Sequence, residues 1–123
     1  MSPKYFLTDL DGTLLNVSAS LSDYTIKVLN DALTAGHVIA FATARSLVSA
    51  KPHVAQVHWR HPAILFNGAL IMDYANNQVI RGYFVDGEVA DEVLSGRMSG
   101  VTPFVYQMGD DGREEVQYEN VHN

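Results

Sequence analysis

Three short apolar runs, each ending abruptly in polar residues, constrain this chain more than anything else in it. Tyr5 to Leu7 stops at Thr8 and Asp9, His37 to Ala42 gives way to Thr43, Ala44, Arg45 and Ser46, and Ala63 to Phe66 closes at Asn67 and Gly68. Runs this short, flanked by turn-forming residues, read as buried strands. Between the first two, Ser22 is placed as an N-cap after Leu21, and Ile26, Leu29 and Leu33 recur at helical spacing until Gly36 stops them. From Leu47 to about Val57 the pattern is again helical, with a kink or restart expected at Pro52, whose ring clashes in a helix interior. Strand, helix, strand, helix, strand with near-continuous apolar strands predicts a parallel sheet, right-handed crossovers and helices on both faces.

Beyond Gly68 the pattern changes. Ala69 to Met72 and Val79 to Phe84 flank the polar stretch Asp73 to Gln78 and predict a hairpin. A helix is expected from Asp86 to about Met98, carrying Val89, Val93 and Leu94. Phe104, Tyr106 and Met108 alternate before the turn Gly109 to Gly112, and Val116 and Tyr118 after it, which predicts a second hairpin in a different layer. The shift near Phe84 sets the expected boundary, with residues 1–84 in one part and 85–123 in another.

Composition narrows the function classes. A net charge of -6 offers no basic footprint for nucleic acid, so a nucleic-acid partner is not expected. The apolar runs fall far short of the roughly 20 residues that span a bilayer, so no membrane insertion is expected either. With no cysteine and no long apolar stretch at Met1 to Lys4, a cytoplasmic location is the natural expectation.

In an open α/β sheet, ligands bind beyond the carboxyl ends of the strands, so Asp9, Asp11, Thr43, Arg45 and Asn67 are expected to converge. Two carboxylates two residues apart, followed by Gly12 and Thr13, suit a hard cation such as Mg²⁺ while leaving a carboxylate oxygen free to attack phosphorus. Thr43 offers a hydroxyl, and Ala44 a backbone N–H at the start of the next helix, to phosphate oxygens. Blander readings stand beside these. Asp9, Asp11 and Thr13 have the spacing of a calcium loop, but Leu14 and Ser20 stand where it needs Gly and Glu. Arg45 reads equally as a surface charge or a substrate contact, and Asn67 as a substrate ligand or a strand-end cap. His53, His58 and His61 around Trp59 lack a carboxylate at ligand spacing and read as packing or surface residues.

Asp9-Leu10-Asp11-Gly12-Thr13-Leu14 closely resembles the DxDGTL first motif of haloacid dehalogenase-type phosphatases, and Thr43-Ala44-Arg45 resembles their second. With Asn67-Gly68-Ala69 after the third strand, the spacing is similar to the Cof-type branch, which hydrolyses phosphorylated sugars and related metabolites with Mg²⁺. The resemblance implies a three-layer Rossmann-like parallel-sheet core, here partial, over residues 1–84, and the start of an inserted α/β cap over 85–123. It implies that Asp9 is the nucleophile that becomes an aspartyl phosphate and that Asp11 is the acid and then the base, its backbone carbonyl on the metal. Thr43, Ala44, Arg45, Asn67 and Gly68 would contact phosphate or substrate, and Asp9 and Asp11 would supply the metal site. Ala44 stands where the family usually has Gly and keeps the backbone donor.

The family also needs a later Lys and a later acidic motif of the GDxxxD kind. The lysines are Lys4, Lys27 and Lys51, none well placed from sequence, and Gly109-Asp110-Asp111 reads better as a hairpin turn than as the acidic motif. The expectation is therefore the N-terminal half of a Mg²⁺-dependent phosphomonoester hydrolase for a small phosphorylated metabolite, weak or inactive alone and prone to self-association. A non-catalytic fragment that binds Mg²⁺, anions or a partner chain, and phosphomutase chemistry, are the alternatives.

Overall fold

A computed structural model of the chain describes residues 2–95, 104–109 and 114–118. Two compact units divide it, Met1–Gly82 and Tyr83–Asn123.

In the first unit β1 (Tyr5–Asp9), β2 (Val38–Ala42), β3 (Ala63–Leu65), β4 (Leu70–Met72) and β5 (Val79–Gly82) form one sheet in the order of their sequence. β1, β2 and β3 are parallel, as their apolar runs predict; β4 and β5 return antiparallel and extend the same sheet. The register aligns Asp9 with Ala42 and Ala42 with Ile64, which brings the polar residues after β1, β2 and β3 to one end of the sheet.

Helix α1 (Asp23–Thr34) begins where Ser22 accepts the Thr25 N–H at 3.1 Å, and the chain leaves it at Gly36 with φ 95°, a backbone that glycine adopts without strain. Helix α2 (Leu47–Val54) begins where Ser46 accepts the Ser49 N–H at 3.1 Å. α2 runs through Pro52 where the sequence suggests a kink or restart. Pro52 is the sixth of the helix's eight residues, so its missing N–H costs the bond to the Val48 carbonyl and the helix runs only two residues further.

Strand alternation sorts the sheet's residues into two unequal faces. On one, Ile39, Phe41, Ala63, Leu65, Leu70 and Met72 are buried, along with Leu33 from α1 and Leu47, Ala50 and Val54 from α2. Trp59 packs edge-on against Phe41 at 4.9 Å between ring centres, and its indole N–H reaches the Val54 carbonyl at 3.0 Å. Tyr5, Leu7, Val38, Ala40, Ala42, Ile64 and Ile71 belong to the other face, and none of them is buried. Tyr5 is 77% exposed and Leu7 63%. Cover on both faces was expected; the described residues bury one.

The second unit holds α3 (Gly87–Leu94), capped where Asp86 accepts the Glu88 N–H, and the antiparallel pair β6 (Phe104–Met108) and β7 (Glu114–Tyr118). α3 packs against β6. The end of the expected helix at Met98, and Asp110 and Asp111 in the turn, lie outside the described residues. No helix among the described residues is long and apolar enough to cross a membrane.

Candidate active site

The chain leaves β1 through a wide turn, Leu10–Leu14, in which Asp11 is extended (φ -66°, ψ 128°) and Gly12 takes φ 75°. A residue with a Cβ would be strained at Gly12, which is the physical reason for the glycine two residues after the strand ends. Leu10 is fully buried and anchors the turn, leaving the flanking Asp9 and Asp11 exposed.

The two carboxylates are not equivalent. Asp9 uses Oδ1 to accept the Leu10 N–H at 2.8 Å, and its Oδ2 accepts no hydrogen bond among the described residues. Asp11 has both oxygens taken: Arg45 Nε donates to Oδ2 at 2.8 Å and Arg45 Nη2 to Oδ1 at 2.8 Å. These hydrogen bonds hold the Asp11 carboxyl below the usual carboxylate range, against the opposing effect of desolvation and with further help from the charges of Arg45 and His53. The same pair raises Arg45 above its ordinary value.

The loop after β2 is stitched to the end of β3. Thr43 N–H donates to the Ile64 carbonyl at 2.9 Å, Asn67 N–H to the Thr43 carbonyl at 3.0 Å, and Phe66 N–H to the Arg45 carbonyl at 3.1 Å. Thr43 is only 4% exposed, and its Oγ1 accepts the Arg45 N–H at 3.1 Å, which leaves its O–H free to donate elsewhere. The exposed Ala44 N–H donates to no group among the described residues. Phe66, Asn67 and Gly68 all have positive φ, 49°, 55° and 96°. Left-handed backbone is ordinary for Asn and Gly but an outlier for a bulky residue such as Phe, so this bend stores strain beside the strand ends.

Of the residues expected to converge, Asp11, Arg45 and Thr43 are therefore linked by side chains, and Asn67 joins them through its backbone. Asn67 has no side-chain hydrogen bond among the described residues, and with Gly68 it is exposed. One contributor, Ser49, escaped the sequence reading, and His53 was named there as a packing or surface residue. Ser49 accepts from Arg45 Nη1 at 3.1 Å, and His53 Nδ1 lies 2.7 Å from the Ala19 carbonyl. Arg45 to Ser49 is an i, i+4 spacing at a helix start, the only signal that could have found Ser49. Lys51 is engaged elsewhere, 2.6 Å from Asn77 Oδ1 and 4.7 Å from the centre of the Tyr74 ring. His58 bonds through its backbone N–H to Asn30, and no three His, Asp or Glu residues gather as a metal site among the described residues.

A free carboxylate oxygen, a buried hydroxyl with an unused proton and an unused backbone N–H thus belong to residues at adjoining strand ends. The model of the haloacid dehalogenase-like hydrolases matches residues 6–97. The chain belongs to that family. A protein of Mycoplasma genitalium named as a phosphatase is 30% identical over 94 residues, which cover 76% of this chain and 34% of that protein. The HMP-PP phosphatase of Serratia proteamaculans is 31% identical over 86 residues, covering 70% of this chain and 31% of the enzyme. A haloacid dehalogenase-like hydrolase of Bacteroides thetaiotaomicron shares the fold with a TM-score of 0.74 at 19% identity, over 99% of this chain and 46% of that one. The chain thus spans about a third of the curated relatives it matches. Membership in the hydrolase family fits the sheet described above, with parallel β1–β3 and the Asp9–Asp11 turn at its carboxyl end.

Proposed function

We propose that this chain carries the nucleophile half of a Mg²⁺-dependent phosphomonoester hydrolase acting on small phosphorylated metabolites such as sugar phosphates, through an aspartyl phosphate. The observation that carries this reading is the asymmetry of the two carboxylates: Asp9 has a free oxygen and Asp11 has none. In it, Asp9 Oδ2 attacks phosphorus and the bond from phosphorus to the leaving oxygen breaks. That oxygen takes a proton from Asp11. Water then attacks the phosphorus, the bond to Asp9 breaks, and Asp11 takes the proton from the water. Asp11 can donate in the first step only once it carries a proton, taken from solvent or left by the previous turnover, and the pair with Arg45 disfavours that form, so one of the two hydrogen bonds must first be released. Thr43 O–H and Ala44 N–H hold the transferring phosphoryl oxygens, with Asn67 and Gly68 at the substrate's edge.

Asp9 Oδ1, which keeps a lone pair beside the Leu10 N–H, and the Asp11 backbone carbonyl are hard oxygen donors of the kind Mg²⁺ takes, which leaves Oδ2 to attack, and Mg²⁺ keeps several waters beside one or two carboxylates. Bound there, the ion would neutralise charge on the phosphoryl oxygens. Residues 1–84 would form the core and 85–123 the opening of a cap, a division supported by the separation of the chain at Gly82 and Tyr83.

A second reading rests on its own observation. Phosphoryl transfer needs a cation beside the phosphate, and both Arg45 and Lys51 are already engaged. The chain alone would then bind Mg²⁺ and anions without turnover. The deciding assay is hydrolysis of p-nitrophenyl phosphate, with Mg²⁺ and with chelator, by this chain and by the product of the full reading frame that encodes it. Chelator-sensitive turnover in the longer product, lost in Asp9→Asn, is expected. A longer product without turnover removes the hydrolase reading. Turnover by the short chain within about tenfold of the longer one removes the idea that a cation is missing, since one such group is commonly worth about 10² to 10³ in rate.

A further inference from the structure

Asp11 is an exposed residue on a turn, with 52% of its side chain accessible, and such a carboxylate ordinarily samples several rotamers. Here it cannot. Arg45 grips both of its oxygens, and Arg45 is itself fixed from three other directions. Its N–H donates to Thr43 Oγ1, its carbonyl accepts from Phe66 at the end of β3, and its Nη1 donates to Ser49 on α2. The Arg45 backbone is thus tied within its own loop and to the end of β3, and its guanidinium to α2, before it reaches Asp11. A planar fork meeting two carboxylate oxygens is a geometry that arginine supplies and lysine does not.

We propose that Arg45 is the positioning residue of Asp11, braced by Ser49, and acts through that carboxylate rather than by gripping the substrate's phosphate. The proposal rests on the phosphoryl-transfer reading for what Asp11 does, but the positioning itself is testable without turnover. Asp11 must meet the leaving oxygen in one step and water in the next, at nearly one place. A carboxylate on a glycine-containing turn keeps that place only if something holds it. When one N–H of the fork yields to the reacting oxygen, the other retains the carboxylate, and the Ser49 bond keeps the guanidinium plane from turning.

The test is side-chain NMR on the 123-residue chain. Three-bond couplings to Asp11 Cγ report whether χ1 is fixed or averaged. The expected result is a single rotamer in the parent, averaging in both Arg45→Ala and Arg45→Lys, and partial averaging in Ser49→Ala. A role limited to holding the fold together would lower the melting temperature without moving these couplings. Should Arg45→Ala fail to fold, Asp11→Asn decides instead: the Arg45 Nε–H signal should lose its protection there and keep it in Asp9→Asn. In a titration with Mg²⁺ and inorganic phosphate, the Thr43 and Ala44 amides should move while the Arg45 Nε–H stays in place. A fixed Asp11 rotamer in Arg45→Ala, an Arg45 signal in Asp11→Asn that keeps its protection, or an Arg45 Nε–H that shifts with phosphate while Asp11 becomes averaged, overturns the proposal. Couplings that respond to Arg45 with no response anywhere to Mg²⁺ and phosphate sustain the positioning and sink the phosphoryl-transfer reading.

Discussion

The Lys51 ammonium lies 4.7 Å from the centre of the Tyr74 ring and 2.6 Å from Asn77 Oδ1, so α2 is pinned to the turn between β4 and β5. Tyr74 in turn meets Phe41 edge-on at 6.2 Å, and its burial raises the phenol above its ordinary value. Lys51, one of the three lysines that the sequence left poorly placed for the site, is thus engaged as a brace on the covered face of the sheet.

Replacing it therefore tests structure against chemistry. Lys51→Met should cost about 1 kcal/mol in urea unfolding, the usual size of a cation–π contact with a partly shielded cation. Mg²⁺ and phosphate binding should be unchanged. A loss of phosphate affinity with no loss of stability would return Lys51 to the site.

In whichever form of the protein turns over, the two aspartates should fail differently. Asp9→Asn should abolish hydrolysis, because the attacking oxygen is gone. Asp11→Asn should slow it by about 10² to 10⁴, the usual worth of a positioned proton donor and acceptor. Rapid quenching should find phosphate on Asp9 in the second variant and none in the first. Equal, modest losses in both would contradict the assignment of roles.

The Asp11–Arg45 pair also sets a pH signature. Because the folded carboxyl lies below its ordinary value of 3.8, the pair contributes stability above that range and loses it as pH falls through the lowered folded value. A ¹³C titration of Asp11 should show a midpoint below 3.8 in the parent that climbs in Arg45→Ala. The difference in urea stability between the two proteins should shrink over the same acid window. The stability change is small even at neutral pH, since the side chains are 26% and 52% accessible and solvent screens them. An Asp11 midpoint indifferent to Arg45 would show that the pair does not persist in solution.

Surface chemistry predicts association. β1 pairs only with β2 among the described strands, and Tyr5, Phe6 and Leu7 are 77%, 51% and 63% exposed. A free strand edge beside an open apolar face invites pairing with other chains. Sedimentation velocity should show concentration-dependent association that Leu7→Lys reduces. A sharp monomer boundary for the parent at high concentration would count against it.

Much of the site was legible in the chain, because the chemistry and the turn that presents it are local. Asp9, Asp11 and Gly12 fall within four residues, and only glycine relieves the φ of 75° that the turn requires. Ser22 announced α1 through a cap that depends on residues three apart, and β1 to β3 were readable because each is a short apolar run that stops at polar, turn-forming residues. Register, partners and exposure were not local, and tertiary structure alone decided them. Arg45 lies 34 positions from Asp11, and nothing in either neighbourhood says that two N–H groups will meet both oxygens. Likewise Leu7 is as apolar as Ile39 and Phe41, yet it is exposed and they are buried. Composition states that a residue prefers to be covered; whether anything covers it depends on which strand is its neighbour and which helix crosses its face.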